Sequence, residues 1–388
     1  RGAGSGKSGG AIPEVDGIVL SLEKYNKILE LDLSNSCITV QPGVITDTIK
    51  EIASKEGLFY PPDPSSSDWC TIGGNVAENS GSSNALKYGV TGDYVLGLEG
   101  FFANGEPFKL GGKLYKDVAG YDLKKLLIGS EGTLAIITKI ILKLIPKPKV
   151  SQSLWCCFDS FTDACESLQS IARSALQPAA AEFLEKACIN AVEKVHNKAF
   201  TFNQGNAFVL FRFDGQSQTE LDSMVMSVKD TINKIKNAKL FTGDDADYWF
   251  VRRSSSEALE NAFAHKTSED ITVPPAMIAE YLAAIKTLDT SGEITLVGYG
   301  HLGDGNIHTN ILMQESNPER WKEIKQEWVE KVLALCISMG GTLTGEHGIG
   351  VTKKAYMGMY FSDSEIEIMK QIKKVFDPNA ILNPSKLF

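Results

Sequence analysis

Residues 145–149 read Ile145-Pro146-Lys147-Pro148-Lys149. Alternating prolines hold such a stretch extended and supply no backbone donor, so neither a helix nor a central strand runs through it. The chain is thereby divided in two, as its 388 residues also require, because single cores stop growing at roughly 250–300 residues. Before the break, Gly, Asn and Ser crowd between short β-branched runs such as Ile18-Val19-Leu20 and Ile38-Thr39-Val40. These read as strands joined by tight turns, with helical periodicity only at about Asp47 to Glu56. After it, strands such as Asn206 to Phe213 alternate with helical stretches at about Thr162 to Ala175, Gln218 to Lys236 and Arg320 to Met339, an α+β pattern. A last helix at about Ser364 to Val375 stops ahead of Asp377-Pro378, as helices do before proline. No internal repeat or low-complexity tract is present.

Composition removes several function classes. Hydrophobic residues make up 43% and charged residues 22%, and no apolar run approaches the ~20 residues of a membrane helix, which implies a soluble globular protein. A formal charge of -9 opposes binding to nucleic-acid phosphates. Seven cysteines form an odd set without C-x-x-C spacing. That argues against a disulfide framework and an iron–sulfur cluster, and favours a reducing, cytoplasmic setting, peripheral to a membrane at most. The first residues contain neither a methionine nor an apolar signal segment, so the expectation is a chain truncated at its start.

The opening, Arg1-Gly2-Ala3-Gly4-Ser5-Gly6-Lys7-Ser8-Gly9-Gly10, is dense enough in glycine for successive N–H groups to form a nest for a phosphate. Gly6-Lys7-Ser8 matches the end of a P-loop, but Arg1 stands where that pattern requires glycine, and Gly9 to Pro13 cannot open the helix that must follow. A flexible tail is the competing reading. Two further small-residue clusters, Thr71-Ile72-Gly73-Gly74-Asn75-Val76-Ala77-Glu78-Asn79 and Gly129-Ser130-Glu131-Gly132-Thr133, would let backbone approach a flat ligand, although singly each is more often a turn.

Chemistry concentrates in Gly300-His301-Leu302-Gly303-Asp304-Gly305-Asn306-Ile307-His308-Thr309-Asn310. Asp-Gly is a strong two-residue hairpin signal, and a turn there sets His301 opposite His308 with Cβ atoms about 4.5–5.5 Å apart, close enough to share a metal. Asn310, two residues on, falls on the same face. Glu346 and His347, framed by Gly345 and Gly348, add a carboxylate and another imidazole. Two His and one Glu suit Zn²⁺, Mn²⁺ or Fe²⁺ and leave positions open. An isolated histidine is usually no ligand, but here three of only five sit in two glycine-framed segments.

Together and in this order, these segments resemble FAD-linked oxidases of the vanillyl-alcohol oxidase type, in the branch of glycolate oxidase D-subunits and D-lactate dehydrogenases. The resemblance covers the whole chain; Lys116 to Asp122, H-L-G-D-G-N-x-H and G-E-H-G-I-G are among its specific stretches. It implies an FAD-binding domain at 1–145, without the strands that usually precede the glycine loop, an α+β cap domain with an antiparallel sheet at 146–340, and a segment at 341–388 that returns to the flavin. It also implies that Gly2, Ala3, Gly4, Ser5 and Gly6 wrap the pyrophosphate of FAD. Thr71, Gly73, Asn75, Asn79 and Gly132 would lie along the cofactor, Ile136 and Ile137 at its adenine end, and Asn383 would come back to the flavin. The first histidine is His196, so the FAD is expected to be noncovalent. By the same resemblance His301, His308 and Glu346 are metal ligands, His347 is the base, and Arg252 holds the substrate carboxylate. Relatives usually have glycine where Ala135 and Ser385 stand here.

The expected reaction is oxidation of a small D-2-hydroxy acid, D-lactate or glycolate, to its 2-oxo acid by hydride transfer to FAD. Enzymes of 2-hydroxyglutarate in this branch usually have a lysine near the segment that Asp270 to Pro274 represents; Ser268 stands two residues before Asp270, which favours the smaller substrates. Electrons would leave to a quinone, an electron-transfer flavoprotein or an iron–sulfur subunit. The competing readings are a flavin-free assembly subunit of an oxidase complex and a metal-dependent hydrolase, which leaves residues 60–140 unexplained.

Overall fold

The computed structural model describes residues 1–174, 176–243, 245–289 and 291–388. The chain forms two compact units, one of residues 1–84, 88–147 and 346–388, the other of residues 85–87 and 148–345.

The first unit contains the strands β1 (Ile28–Asp32), β2 (Cys37–Val40), β3 (Leu58–Phe59), β4 (Val95–Phe101), β5 (Pro107–Gly111), β6 (Ile136–Lys143) and β7 (Ile145–Pro146). β3 pairs with β7, and the others form an antiparallel sheet in the order β1-β2-β6-β4-β5. Ile38, Val40, Ile140 and Leu142 pack there with Ile49 and Ala53 of helix Thr46–Lys55 and with Ile72 and Val76 of helix Ile72–Glu78. Ile372 and Phe376, on helix Asp363–Phe376, close over the same core. That helix starts in a capping box, where Ser362 and Glu365 satisfy each other's backbone donors, and it ends before Asp377-Pro378.

Two expectations fail in this unit. Ile18-Val19-Leu20 forms no strand, and Ile18 is 97% exposed. β-Branched residues favour a pleated, half-buried surface, and no described strand pairs with this run. Conversely, the run Ile72–Glu78 is helical despite Gly73 and Gly74. Ile72, Asn75 and Val76 fall on one buried face, and that burial overrides weak propensity.

The second unit contains β8 (Val150–Phe158), β9 (Ala180–Glu185), β10 (Ala207–Gly215), β11 (Lys239–Phe241), β12 (His265–Thr272), β13 (Ile294–His301) and β14 (Asn306–Met313). They form one antiparallel sheet in the order β11-β8-β10-β9-β13-β14-β12. Trp155, Leu184, Phe208, Leu210, Val297 and Leu312 make an apolar face, covered by helices Lys186–His196 and Asp245–Ala262. Ser160, Ser217 and Asn317 cap helices Phe161–Arg173, Gln218–Ile232 and Pro318–Ser338 by accepting backbone N–H groups. The first of these was expected to reach Ala175, which lies outside the described residues. No described helix is long and apolar enough to cross a membrane.

β13 and β14 form the hairpin announced by Asp304-Gly305, but in another register. His301 pairs with Asn306 and Tyr299 with His308, so Leu302 to Gly305 make the turn. Leu302 is fully buried and donates its N–H to the Ala181 carbonyl at 2.7 Å, which withdraws it from the ladder. The slip is by two residues, and because the pleat repeats every two, both imidazoles stay on one face. Gly305 holds the turn at φ +84°, with the Val273 carbonyl oxygen 2.0 Å from where a Cβ would stand. Gly305→Ala is therefore expected to destabilise the protein by about 1–3 kcal/mol, read as a lower urea midpoint at unchanged slope.

Candidate active site

The register of the second unit lines functional side chains up across four strands. Glu182 of β9 pairs with His301, which pairs with Asn306, which pairs with Thr272 of β12. On the next rung Leu184 pairs with Tyr299, Tyr299 with His308, and His308 with Asp270. Directly paired residues share a face, so Glu182, His301, His308 and Asp270 project together. The two imidazoles are 5.6 Å apart between ring centres and nearly perpendicular.

Glu182 is completely buried. Its Oε1 accepts from His301 Nδ1 at 2.7 Å and its Oε2 from Arg252 Nε at 2.7 Å. Burial pushes this carboxyl up, but the His301 and Arg252 charges and hydrogen bonds outweigh it and hold it at about 2. Arg252 comes from helix Asp245–Ala262, and its guanidinium lies 5.1 Å from the centre of the Tyr299 ring. Asp270 stands 3.8 Å from His308 Nδ1. It also accepts from Asn306 Nδ2 at 2.6 Å, Thr344 Oγ1 at 2.8 Å and the Gly345 N–H at 3.0 Å. His301 Nδ1 thus meets a buried carboxylate at hydrogen-bond distance, the arrangement that orients metal-binding histidines, and His308 has the buried Asp270 carboxylate 3.8 Å away, so these residues fit a divalent cation. Asn310 is fully buried, and its Nδ2 donates to the Val297 and His308 carbonyls at 3.1 and 3.0 Å, bracing the hairpin.

Neither Glu182 nor Asp270 stood out as a site residue in the sequence. The available signal was a charged residue at a core-facing position of an otherwise apolar strand, Ala180-Ala181-Glu182-Phe183-Leu184, since buried carboxylates persist only with partners.

Glu346 and His347 belong to the first unit. Gly81 leaves room for Glu346, whose Oε2 would lie 3.0 Å from a Cβ there, and Glu346 Oε1 is 3.8 Å from His347 Nε2. Beyond His347, the Ile349 and Gly350 N–H groups donate to the two oxygens of Glu131 at 2.8 and 2.7 Å. Glu131 has φ +51°, and its backbone carbonyl accepts from Asn383 Nδ2, which also donates to the Gly10 carbonyl. Asn383 thereby brings the C-terminal tail onto the glycine-rich opening. Ser385 takes the left-handed conformation that glycine adopts most readily, at φ +67°.

In the opening itself Gly4 and Gly9 have φ +77°, and Ala3, Ser5 and Gly6 lie in the same irregular stretch. Gly2 runs so close to Thr71 that a Cβ would meet its hydroxyl at 2.2 Å. Thr71 and Ser8 are each 2% exposed, and neither hydroxyl has a hydrogen-bond partner among the described residues. A side-chain-free backbone beside orphaned hydroxyls is a cradle that fits the FAD pyrophosphate. Asn75 donates to Thr46 Oγ1 at 2.7 Å, and Asn79, left-handed at the helix end, accepts from the Gly92 N–H at 2.8 Å, so these two side chains fix the loops. Gly73 packs on Pro42, Gly132 has φ +70°, and Ile136 and Ile137 open β6 against Phe101 and Gly100.

Glu78 lies beneath the same loop, its Oε1 within 3.1 Å of where a Gly10 Cβ would stand. Burial, reinforced by the charge of Glu131, raises its carboxyl to about 8. An unfolded glutamate ionises near pH 4.5, so the folded state holds this proton longer and loses relative stability as pH rises from there to about 8. Glu78→Gln removes that loss. Its Tm is expected to pull ahead of the wild type progressively between pH 5 and 8 and then level off; a constant offset would contradict the assignment.

The sequence matches the family of "FAD linked oxidases, C-terminal domain" over residues 147–387 and the "FAD binding domain" family over residues 1–111. It is 40% identical to the glycolate oxidase subunit GlcD of Bacillus subtilis, aligned over all of this chain and 83% of that one. It is 36% identical to a D-lactate dehydrogenase of Anaerostipes hadrus, again over the whole chain and 83% of the relative. The fold matches a crystal structure of p-cresol methylhydroxylase with substrate bound, at TM-score 0.75 and 17% identity, over 94% of this chain and 78% of the other.

Proposed function

The chain belongs to the FAD-linked oxidases, and we propose that it is a metal-assisted dehydrogenase converting D-lactate or glycolate to the 2-oxo acid. It uses FAD and oxidises small hydroxy acids. The observation that carries the finer reading is the single sheet face on which Arg252 and two carboxylate-backed imidazoles converge.

With Nε engaged by Glu182, Arg252 clamps the substrate carboxylate through its terminal NH₂ groups, in the two-pronged manner of a guanidinium. A Zn²⁺, Mn²⁺ or Fe²⁺ ion held by His301, His308 and Glu346 would supply the Lewis acid that lowers the pKa of the 2-hydroxyl. His347 takes the hydroxyl proton on an imidazole nitrogen. Noncovalently bound FAD would supply the hydride acceptor that no side chain offers. The partner that would take up the reducing equivalents is a quinone, an electron-transfer flavoprotein or an iron–sulfur subunit, in the cytoplasm or at a membrane surface. Ser268, paired with Asn310 on the same face, adds no second cation for a dicarboxylate, which supports a small substrate.

His347→Ala is expected to retain FAD and metal while the rate of flavin reduction in anaerobic stopped-flow falls at least ~10²-fold. Undiminished reduction would remove His347 from the chemistry. Arg252→Met should raise KM for D-lactate at least ~10-fold, the worth of a charge-assisted pair, with FAD content unchanged.

A further inference from the structure

Glu182 joins two side chains to which the proposed reaction gives different tasks. Its oxygens are not shared: Oε1 takes the Nδ1–H of His301 and Oε2 the Nε–H of Arg252, each at 2.7 Å. The residue is 0% exposed, so no bulk water substitutes for either partner. It stands on β9, and its register partner is His301 itself, so backbone pairing as well as the side-chain bond fixes one relative to the other. Arg252 arrives from a helix lying over the same face.

We propose that Glu182 is a positioning residue that couples the substrate-binding arginine to the metal-binding histidine, so that neither is held correctly without the other. The inference rests on the metal-assisted reading above. Through Oε1 the carboxylate keeps the His301 proton on Nδ1 and leaves the Nε2 lone pair as the ligand. Through Oε2 it fixes the plane of the guanidinium, turning the terminal NH₂ groups toward one side. Only a carboxylate does both, because each contact needs an acceptor. A glutamine has one acceptor oxygen and one donor nitrogen. With its nitrogen toward His301, the imidazole proton moves to Nε2 and blocks the ligand atom; with its nitrogen toward Arg252, two donors face each other and the guanidinium is displaced.

The test is Glu182→Gln in FAD-loaded protein, with Mn²⁺ or Zn²⁺ affinity measured by calorimetry on the metal-stripped protein and KM for D-lactate measured at saturating metal. The metal Kd is expected to rise ~10–100-fold, the usual worth of such an outer partner. KM should rise as well and stay raised when metal is saturating, while the flavin spectrum and FAD stoichiometry are unchanged. Glu182→Asp keeps two acceptor oxygens and should recover part of both losses, which also covers the case in which the glutamine variant fails to fold. Metal affinity within twofold of wild type in soluble Glu182→Gln would overturn the proposal, as would a change in one parameter without the other or, where only Glu182→Asp is soluble, wild-type values of both. Wild-type protein that binds no divalent metal would instead overturn the functional reading on which the proposal rests.

Discussion

The register of β9, β13, β14 and β12 is the constraint on which the proposed catalytic face depends, because one antiparallel ladder decides which side every polar residue occupies. Glu182, His301 and Asn306 lie on one rung, with His308 and Asp270 on the next. A slip of a single residue would turn all of them to the opposite side. The register is set locally by Leu302, buried and bonded to Ala181, and by Gly305, where the turn admits no side chain. Apolar packing thus pins polar chemistry: Leu184, Val297 and Leu312 bury on the same face, and their loss to solvent would accompany a one-residue slip.

In the first unit a comparable role falls to Glu131. Its carboxylate takes the N–H groups of Ile349 and Gly350, and its carbonyl takes the side chain of Asn383. The segment carrying His347, the C-terminal tail and the glycine-rich opening are fastened at one point, although 373 residues separate Gly10 from Asn383 along the chain. Charge-assisted bonds to backbone donors are among the stronger ones available, which accounts for a glutamate tolerating both burial and a left-handed backbone.

Much of this was legible in the sequence, for identifiable reasons. The prolines at 146 and 148 mark the break, and the unit boundary falls between 147 and 148. Amphipathic helices such as Asp363–Phe376 carry their capping residues with them. Asp304-Gly305 gave the hairpin but not its register, since that depends on Leu302 meeting Ala181, a contact from more than a hundred residues away. Ile18-Val19-Leu20 has the composition of a strand without forming one, because β-propensity describes a fit to neighbours that a local window does not contain. Glu182 and Asp270 do not stand out in the sequence for a related reason: a lone acid in an apolar strand acquires meaning only when the sheet sets it beside an imidazole.

The central claim, that this protein removes a hydride from a small 2-hydroxy acid and passes it to FAD, is tested most directly by an anaerobic absorbance titration of the FAD-loaded protein. Addition of D-lactate should bleach the flavin bands, reaching completion near one equivalent per flavin, with pyruvate recovered in matching amount. Bands unaltered by D-lactate, by glycolate and by other small 2-hydroxy acids, in protein carrying both FAD and metal, would contradict the account.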